Sequence, residues 1–404
     1  MKDKVVLAFS GGLDTSVIIP WLKENYDFDV IAVCINVGQD QELEGLEEKA
    51  KSMGVSKIYI EDVKETFATD YIFPMVQAGA IYESRYYLGT SIARPLIAKV
   101  LVDIAEKEGA VAICHGCTGK GNDQVRFELA IKSLAPHVKI IAPWRIWDIS
   151  SRDQEIAYLE ERGLPVPMKK EESYSRDLNL WHLSHEGLEL EDPNTAPNYD
   201  HLLKLGTHPE KAPEEGEIIE ITFDKGNPTQ INGQDLSGAD LIKELNRLGG
   251  KHGIGIEDIV ENRVVGMKSR GVYETPGGKI LFYAHEAIEH LTLDRETYQY
   301  KQQVALEYAR LIYDGKWFTP LRESLASFVT TTQEYVSGVV KLKLYKGNII
   351  LQGTTSPYSL YSEDLASFTT GDLYNHHDAD GFITLYGLPA KVRALMLQKV
   401  EEQK

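Results

Sequence analysis

The sequence has only three cysteines in 404 residues, Cys34, Cys114 and Cys117. That is too few to staple a chain of this size into a disulfide framework, so a reducing compartment is expected and the protein reads as cytoplasmic. Long apolar runs are also missing. Nothing approaches the ~20 consecutive apolar residues of a membrane span. The short stretch Val5–Phe9 behind Lys2 and Lys4 ends too soon for a signal-peptide core and lacks a cleavage pattern. Positive charge is scarce: 43 Lys and Arg face 61 Asp and Glu, for a formal charge of −18, and no segregated basic block offsets it. Such a surface repels phosphate backbones, which makes duplex DNA or structured RNA a poor partner. A small anionic substrate held by a few local cations stays compatible.

What is present is an ordinary globular composition, 43% hydrophobic and 26% charged, which excludes disordered and fibrous classes. At roughly 100–200 residues per domain the length suggests two or three domains. In the first 165 residues, β-branched runs at Val5–Phe9, Val30–Asn36, Lys57–Glu61, Val111–His115 and Lys139–Pro143 alternate with helical stretches at Thr15–Asn25, Gln41–Met53 and Ser91–Glu108. A long excursion carries Tyr71 to Thr90. This alternation predicts an α/β fold with a doubly wound parallel sheet. Ser151 and Gln154 have capping-box spacing, with Gly163 at the stop, so a helix over Ser151–Arg162 closes the unit.

Beyond Pro167 the pattern changes to hairpins, Glu217–Phe223 with Thr229–Asn232 and Val339–Tyr345 with Asn348–Gln352, interrupted by a helical run from Ala284 to Tyr313. We therefore expect a nucleotide-binding domain over 1–165, a second α+β domain over 166–365, and a helical arm over 366–404 that ends in an amphipathic helix from Pro389 to Lys404 and packs on another subunit.

Directly after the first strand comes Ser10-Gly11-Gly12-Leu13-Asp14-Thr15-Ser16, and then an apolar helix. Paired glycines let backbone approach a ligand without Cβ clashes, and the helix start offers unpaired N–H groups and a positive dipole end. Ser10, Thr15 and Ser16 add hydroxyls, and together these groups suit a pyrophosphate. The loop is not a Walker A sequence, which needs a Lys beside its Ser/Thr, nor the G-x-G-x-x-G dinucleotide pattern.

A second informative stretch, His115 to Glu128, follows the strand Val111–His115, where doubly wound folds bind ligands. Gly116, Gly119 and Gly121 again bring backbone close, while Thr118, Asn122, Asp123 and Arg126 mix donors with acceptors as a zwitterionic amino acid requires. Arg126 suits a bidentate hold on a carboxylate, with a structural pair to Glu128 or Asp123 as the alternative. Cys114-His115-Gly116-Cys117 has metal spacing, but no second Cys pair supports a zinc site, and buried strand-end thiols are the better reading.

The Ser10–Ser16 loop resembles the pyrophosphate motif of the N-type ATP pyrophosphatases, which cleave ATP between the α and β phosphates. Further blocks narrow this: Tyr86 to Pro95, Gly116 to Glu128, Tyr174-Ser175, Ile259 to Arg263 and Gly266 to Pro276 together resemble the argininosuccinate synthases over nearly the whole chain. The resemblance implies a ligase joining citrulline to aspartate with ATP and Mg²⁺, in a homotetramer. It places ATP at Ala8, Phe9, Ser10, Gly11, Gly12, Leu13, Asp14, Thr15, Ser16 and Gly116, with Ile35 against the adenine. Citrulline falls to Tyr86, Ser91, Asn122, Arg126, Ser175, Ser184, Glu261 and Tyr273, and aspartate to Thr118, Asn122 and Asp123. Glu261 would pair with an α-ammonium. No general base is assigned, and Asp14 or Asp123 would reach Mg²⁺. Ile35, Arg85 and Arg176 depart from the family pattern. A tRNA-thiolating relative would instead need a reactive Cys, for which Cys117 is the candidate, and a basic RNA surface. A non-catalytic ATP sensor on the same fold is the other rival.

Overall fold

The structure is a computed structural model that describes residues 2–119, 121–166, 174–366 and 375–403. Its first sheet is parallel, in the order β3-β2-β1-β4-β5, built from β1 (Lys4–Ala8), β2 (Asp29–Asn36), β3 (Lys57–Asp62), β4 (Ala112–Cys114) and β5 (Lys139–Ile141). The five strands expected from sequence are these five, each within two residues at either end.

Strand alternation explains why β-branched runs were needed here. Val5 and Leu7 enter a core with Val30, Ala32 and Ala112, closed by Val17, Ile18 and Leu22 of the helix Leu13–Tyr26. Val6, Ile31, Val33 and Ile113 point the other way, against Ile92, Leu96 and Leu101 of the helix Gly89–Glu108. A strand buried on both faces has no solvent side, so it reads as a continuous apolar run. Each such side chain fully removed from water contributes about 1.5–3 kcal/mol.

Two helices differ from expectation. The run Gln41–Met53 is broken: a short 3-10 turn over Asp40–Leu43 ends before Gly45, whose φ of 71° no helix accommodates, and the helix proper is Leu46–Ser52. The run Ala284–Tyr313 is two helices, Pro276–Thr292 and Arg295–Tyr313, because Asp294 leaves the helical region and accepts a hydrogen bond from Thr297 N (3.0 Å) as a fresh N-cap.

The later strands form two antiparallel sheets. One has the order β11-β12-β7-β6, from β6 (Ser175–Leu178), β7 (Leu183–Glu186), β11 (Ile256–Asn262) and β12 (Lys268–Glu274). The other has the order β10-β9-β8-β13-β14, from β8 (Glu217–Asp224), β9 (Asn227–Ile231), β10 (Gln234–Asp235), β13 (Gly338–Tyr345) and β14 (Asn348–Thr355). Both expected hairpins are present, and Lys346-Gly347 (φ 43° and 80°) supplies the left-handed pair that a two-residue turn needs. Met1–Tyr358 forms one compact unit and Ser359–Lys404 a second. The second carries the helices Asp378–Tyr386 and Leu388–Glu401, with Phe382, Leu385, Tyr386 and Val392 exposed. No helix among the described residues is long and apolar enough to cross a membrane.

Candidate active site

In the strand order, β1 lies between β2 and β4, and the chain builds outward first through β2 and β3, then through β4 and β5. The carboxyl ends of β1 and β4 therefore flank the point where the winding reverses, which is the crevice where such sheets take ligands. The two loops singled out from sequence leave from these two strand ends.

After β1, Gly12 caps the helix Leu13–Tyr26 without any side-chain bond, so the first-turn N–H groups stay open to an anion. Gly11 has a φ of +73°, and a Cβ there would lie 2.4 Å from Leu46 Cδ1, so only glycine fits. A Cβ on Gly116 would lie 3.3 Å from Thr15 Cγ2, which puts the β4 loop hard against the β1 loop. The three hydroxyls divide. Ser10 is exposed, whereas Ser16 is fully buried and its Oγ donates to Gly12 O at 2.8 Å, bracing the loop. Thr15 Oγ1 lies 3.3 Å from both Ser10 Oγ and Gly12 O. Ala8 is half-buried, while the Phe9 and Ile35 side chains lie in the two cores and present little surface.

A lysine does reach this loop, although not from within it. Lys49, on the helix Leu46–Ser52, donates to Gly11 O, and burial lowers its ammonium pKa. On the other side stands Glu155 of the helix Arg152–Glu160. It is 2% exposed, and burial followed by the neighbouring Asp14 carboxyl pushes it up to about 8.

The β4 loop opens onto a cavity of about 270 Å³ lined by Tyr86, Thr118, Asn122, Asp123, Arg126, Ser175, Ser184, Glu261 and Tyr273. These are all the citrulline and aspartate candidates except Ser91, which is fully buried outside the lining. They come from six separate stretches of chain. Register explains part of the convergence: Ser175 pairs with Glu186 and Asp177 with Ser184, so these four share one face of the β6–β7 pair. Arg176 borders the same cavity, but it pairs with His185, and its Nε donates to His185 Nδ1 at 3.1 Å. Arg85 lies outside the cavity lining, bound to Glu257 at 2.9 Å.

Polar groups in the cavity are interlocked. Arg94 donates to Asp123 (2.9 Å) and Asp177 (2.8 Å), and Arg126 donates to Asp123 (2.9 Å) and to Tyr313 O (2.9 Å). Burial pushes the Asp123 carboxyl up, but the two guanidiniums outweigh it and hold the group below its ordinary value. Arg126 thus makes the structural pair with Asp123 that the sequence left open, and its Nη2 is the guanidinium nitrogen without a protein acceptor among the described residues. Glu261, 5% exposed, accepts from Tyr273 OH (3.0 Å) and Tyr313 OH (2.9 Å); burial raises its pKa, against both phenols.

Profiles of one family account for nearly all of this chain: that described as "Arginosuccinate synthase N-terminal HUP domain" matches residues 4–165, and "Arginosuccinate synthase C-terminal domain" matches 174–393. The chain belongs to the argininosuccinate synthase family. The argininosuccinate synthase of Agathobacter rectalis is 67% identical, over 100% of both chains. Those of Lachnoclostridium phytofermentans and Brachyspira hyodysenteriae are each 64% identical over 100% of this chain, covering 100% and 99% of their own lengths.

Several residues of this cleft were not singled out from sequence. Thr90 and Arg94 sit inside a quoted block without an assigned role, and Asp177 lies two residues past Ser175, where its Oδ2 accepts from Thr90 (2.8 Å) and Arg94. Tyr313 carried no signal at all. The thiols are free, and burial pushes Cys34 up to about 11 and Cys117 higher, which disfavours the thiolate that a sulfur-transfer relative would need. No group of three or more metal-ligating side chains is found among the described residues. A larger cavity of about 540 Å³ beside Tyr87, Lys279 and Lys301 holds no candidate residue, and its two lysines are paired with Glu257 (2.8 Å) and Glu289 (3.0 Å).

Proposed function

We infer that this chain is an ATP-dependent ligase that joins citrulline to aspartate, forming argininosuccinate in arginine biosynthesis. The observation that carries the reading is the placement of a glycine-rich anion loop after β1 and an amino-acid cleft after β4 at one switch point, so that a nucleotide phosphorus and an amino-acid side chain can meet.

In the first step the ureido oxygen of citrulline attacks the α-phosphorus and expels pyrophosphate, leaving a citrullyl adenylate. In the second the aspartate amine attacks the activated carbon and expels AMP. A ureido oxygen is a weak nucleophile, so holding it in line is the main contribution, worth up to roughly 7–11 kcal/mol. The interlocked groups around Asn122, Arg126 and Glu261 suit that positioning role, with Glu261 facing the α-ammonium of citrulline and Asn122, Asp123 and Thr118 facing aspartate. Open N–H groups in the first turn after Gly12, with Lys49 behind the loop, meet the charge that grows on the departing pyrophosphate. Mg²⁺ accompanying the nucleotide supplies further neutralisation of its phosphates.

Exposed apolar side chains on the helices Asp378–Tyr386 and Leu388–Glu401 support a homotetramer in which this segment packs on other subunits, and three free cysteines support a cytoplasmic location. The deciding assay supplies ATP, Mg²⁺, citrulline and aspartate, omits each in turn, and follows AMP and pyrophosphate. Formation of ADP, or product release that ignores citrulline, would overturn the reading.

A further inference from the structure

Two carboxylates could reach the cation that travels with ATP, Asp14 and Asp123, and their surroundings separate them. Both Asp123 oxygens are committed, Oδ1 to Arg126 and Oδ2 to Arg94, each at 2.9 Å. A divalent cation there would have to displace two guanidiniums or share their positive field. Asp14 has no Lys, Arg or His within ion-pair distance among the described residues. It lies within the phosphate loop, and its Cβ is 3.9 Å from where a Cβ on Gly116 would stand.

The partner is Glu155. It stands in the first turn of the helix Arg152–Glu160, its carboxyl within hydrogen-bonding reach of Asp14. This side chain is 2% exposed, yet its Oε1 has no hydrogen-bond partner among the described residues. An orphaned buried carboxylate oxygen is costly, and most such atoms in folded proteins are satisfied by something. The two helices are tied together at their other ends, Tyr158 OH donating to Glu24 Oε2 at 2.6 Å and Arg162 Nε to Glu24 Oε1 at 2.7 Å, which fixes Glu155 beside the loop. We propose that Asp14 and Glu155 together form the protein side of the site for the divalent cation carried by ATP.

The chemistry fits a hard cation. Mg²⁺ takes oxygen ligands and is usually held through one or two carboxylates plus substrate phosphates, keeping several waters. The proposal rests on reading Ser10–Ser16 as the ATP phosphate loop, and the experiment separates the two.

Mn²⁺ serves as the probe. The free ion has a sharp solution EPR spectrum that is lost on binding, so the full-length protein is titrated with Mn²⁺ in the presence of α,β-methylene-ATP. Binding of the same analogue without metal is measured separately by calorimetry. In wild type a ternary complex forms, and Glu155→Gln and Asp14→Asn each weaken Mn²⁺ in that complex by about tenfold or more, since even outer-shell changes at metal sites cost about 10–100-fold. Metal-free analogue binding is retained in Glu155→Gln. Failure of the wild type to bind the analogue at all defeats the phosphate-loop reading. Unchanged Mn²⁺ affinity in Glu155→Gln, with analogue binding intact, overturns the cation site and leaves the pair as a proton-sharing structural contact. Should Glu155→Gln melt, half-exposed Asp14→Asn and the carboxylate-retaining Glu155→Asp carry the same comparison: loss in the first with partial retention in the second supports the site, and equal affinity in both overturns it.

Discussion

The phenol of Tyr313 lies 2.9 Å from Glu261 Oε2 and accepts from Asn122 Nδ2 at 3.0 Å, so the last residue of the helix Arg295–Tyr313 joins β11 to the loop after β4. Three segments far apart in sequence are thereby held at one end of the cleft, the phenol fixing the amide and sharing the carboxylate with Tyr273. Removing the hydroxyl alone tests this. In Tyr313→Phe, Glu261 loses a donor and Asn122 an acceptor; a hydrogen bond to a charged group is worth about 1.5–3 kcal/mol. The expected outcome is a citrulline KM raised by roughly tenfold, about 1.4 kcal/mol, with the ATP KM unchanged in steady-state kinetics. An unaltered citrulline KM would mean that Tyr313 only packs.

Arg94 is expected to act on stability through Asp123 and Asp177. Burial raises the Asp123 carboxyl, and Arg94 with Arg126 reverses this to leave it depressed. A depressed carboxyl adds stability that is complete above its unfolded pKa of about 3.9 and disappears as pH falls through the folded value. Arg94→Met shrinks the depression, so acid destabilisation begins at higher pH than in wild type. Breaking a buried pair costs about 3–5 kcal/mol. Because Asp123 keeps 27% side-chain exposure, the low end of that range applies. Thermal midpoints of both proteins across the acid range check this; parallel curves would show that the triad does not titrate with folding.

Gly11 tests the loop. Its φ of +73° and the 2.4 Å approach to Leu46 Cδ1 leave no room for a methyl group. A non-glycine residue in this region costs about 1–2 kcal/mol before any clash, and Leu46 is buried and cannot easily yield. In Gly11→Ala the first turn of the helix is displaced along with the carbonyl that Lys49 holds, so the ATP KM rises by about tenfold or more while the citrulline KM changes little. Equal increases in both constants would point to global unfolding instead.

How much of this was legible depends on the range of the contacts. The parallel sheet could be read because burial on both faces forces apolar runs, as in Val5–Leu7, and each run is local. The β1 and β4 loops could be read because glycine spacing is local too. Lys49 was not, since no pattern says that a helix two elements on will turn a lysine back to Gly11 O. Glu155 carries no local signal, and only the packing of its helix on Leu13–Tyr26 buries it. The break at Asp294 was written locally, as Asp294-Arg295-Glu296-Thr297, but continuous helical periodicity on both sides concealed it. Ser16 shows the converse, a motif residue whose hydroxyl serves the loop's own backbone.

The terminal unit makes a prediction about assembly. Along Asp378–Tyr386, Phe382, Ile383, Leu385 and Tyr386 are 65%, 63%, 69% and 75% exposed, and Val392 and Met396 of the next helix are 61% and 49% exposed. An apolar surface of this extent is unusual on a monomer and marks an association face. Each such side chain would gain about 1.5–3 kcal/mol on full burial, so two charges placed there would remove several kcal/mol from a subunit contact. The double variant Phe382→Glu, Leu385→Glu is therefore expected to lower the solution mass from that of the proposed tetramer, as measured by light scattering, and to make what remains depend on protein concentration. Because mass action couples assembly to folding, its thermal midpoint should also rise with concentration more steeply than that of wild type. A tetramer mass unchanged by both charges would place the association face elsewhere on the chain.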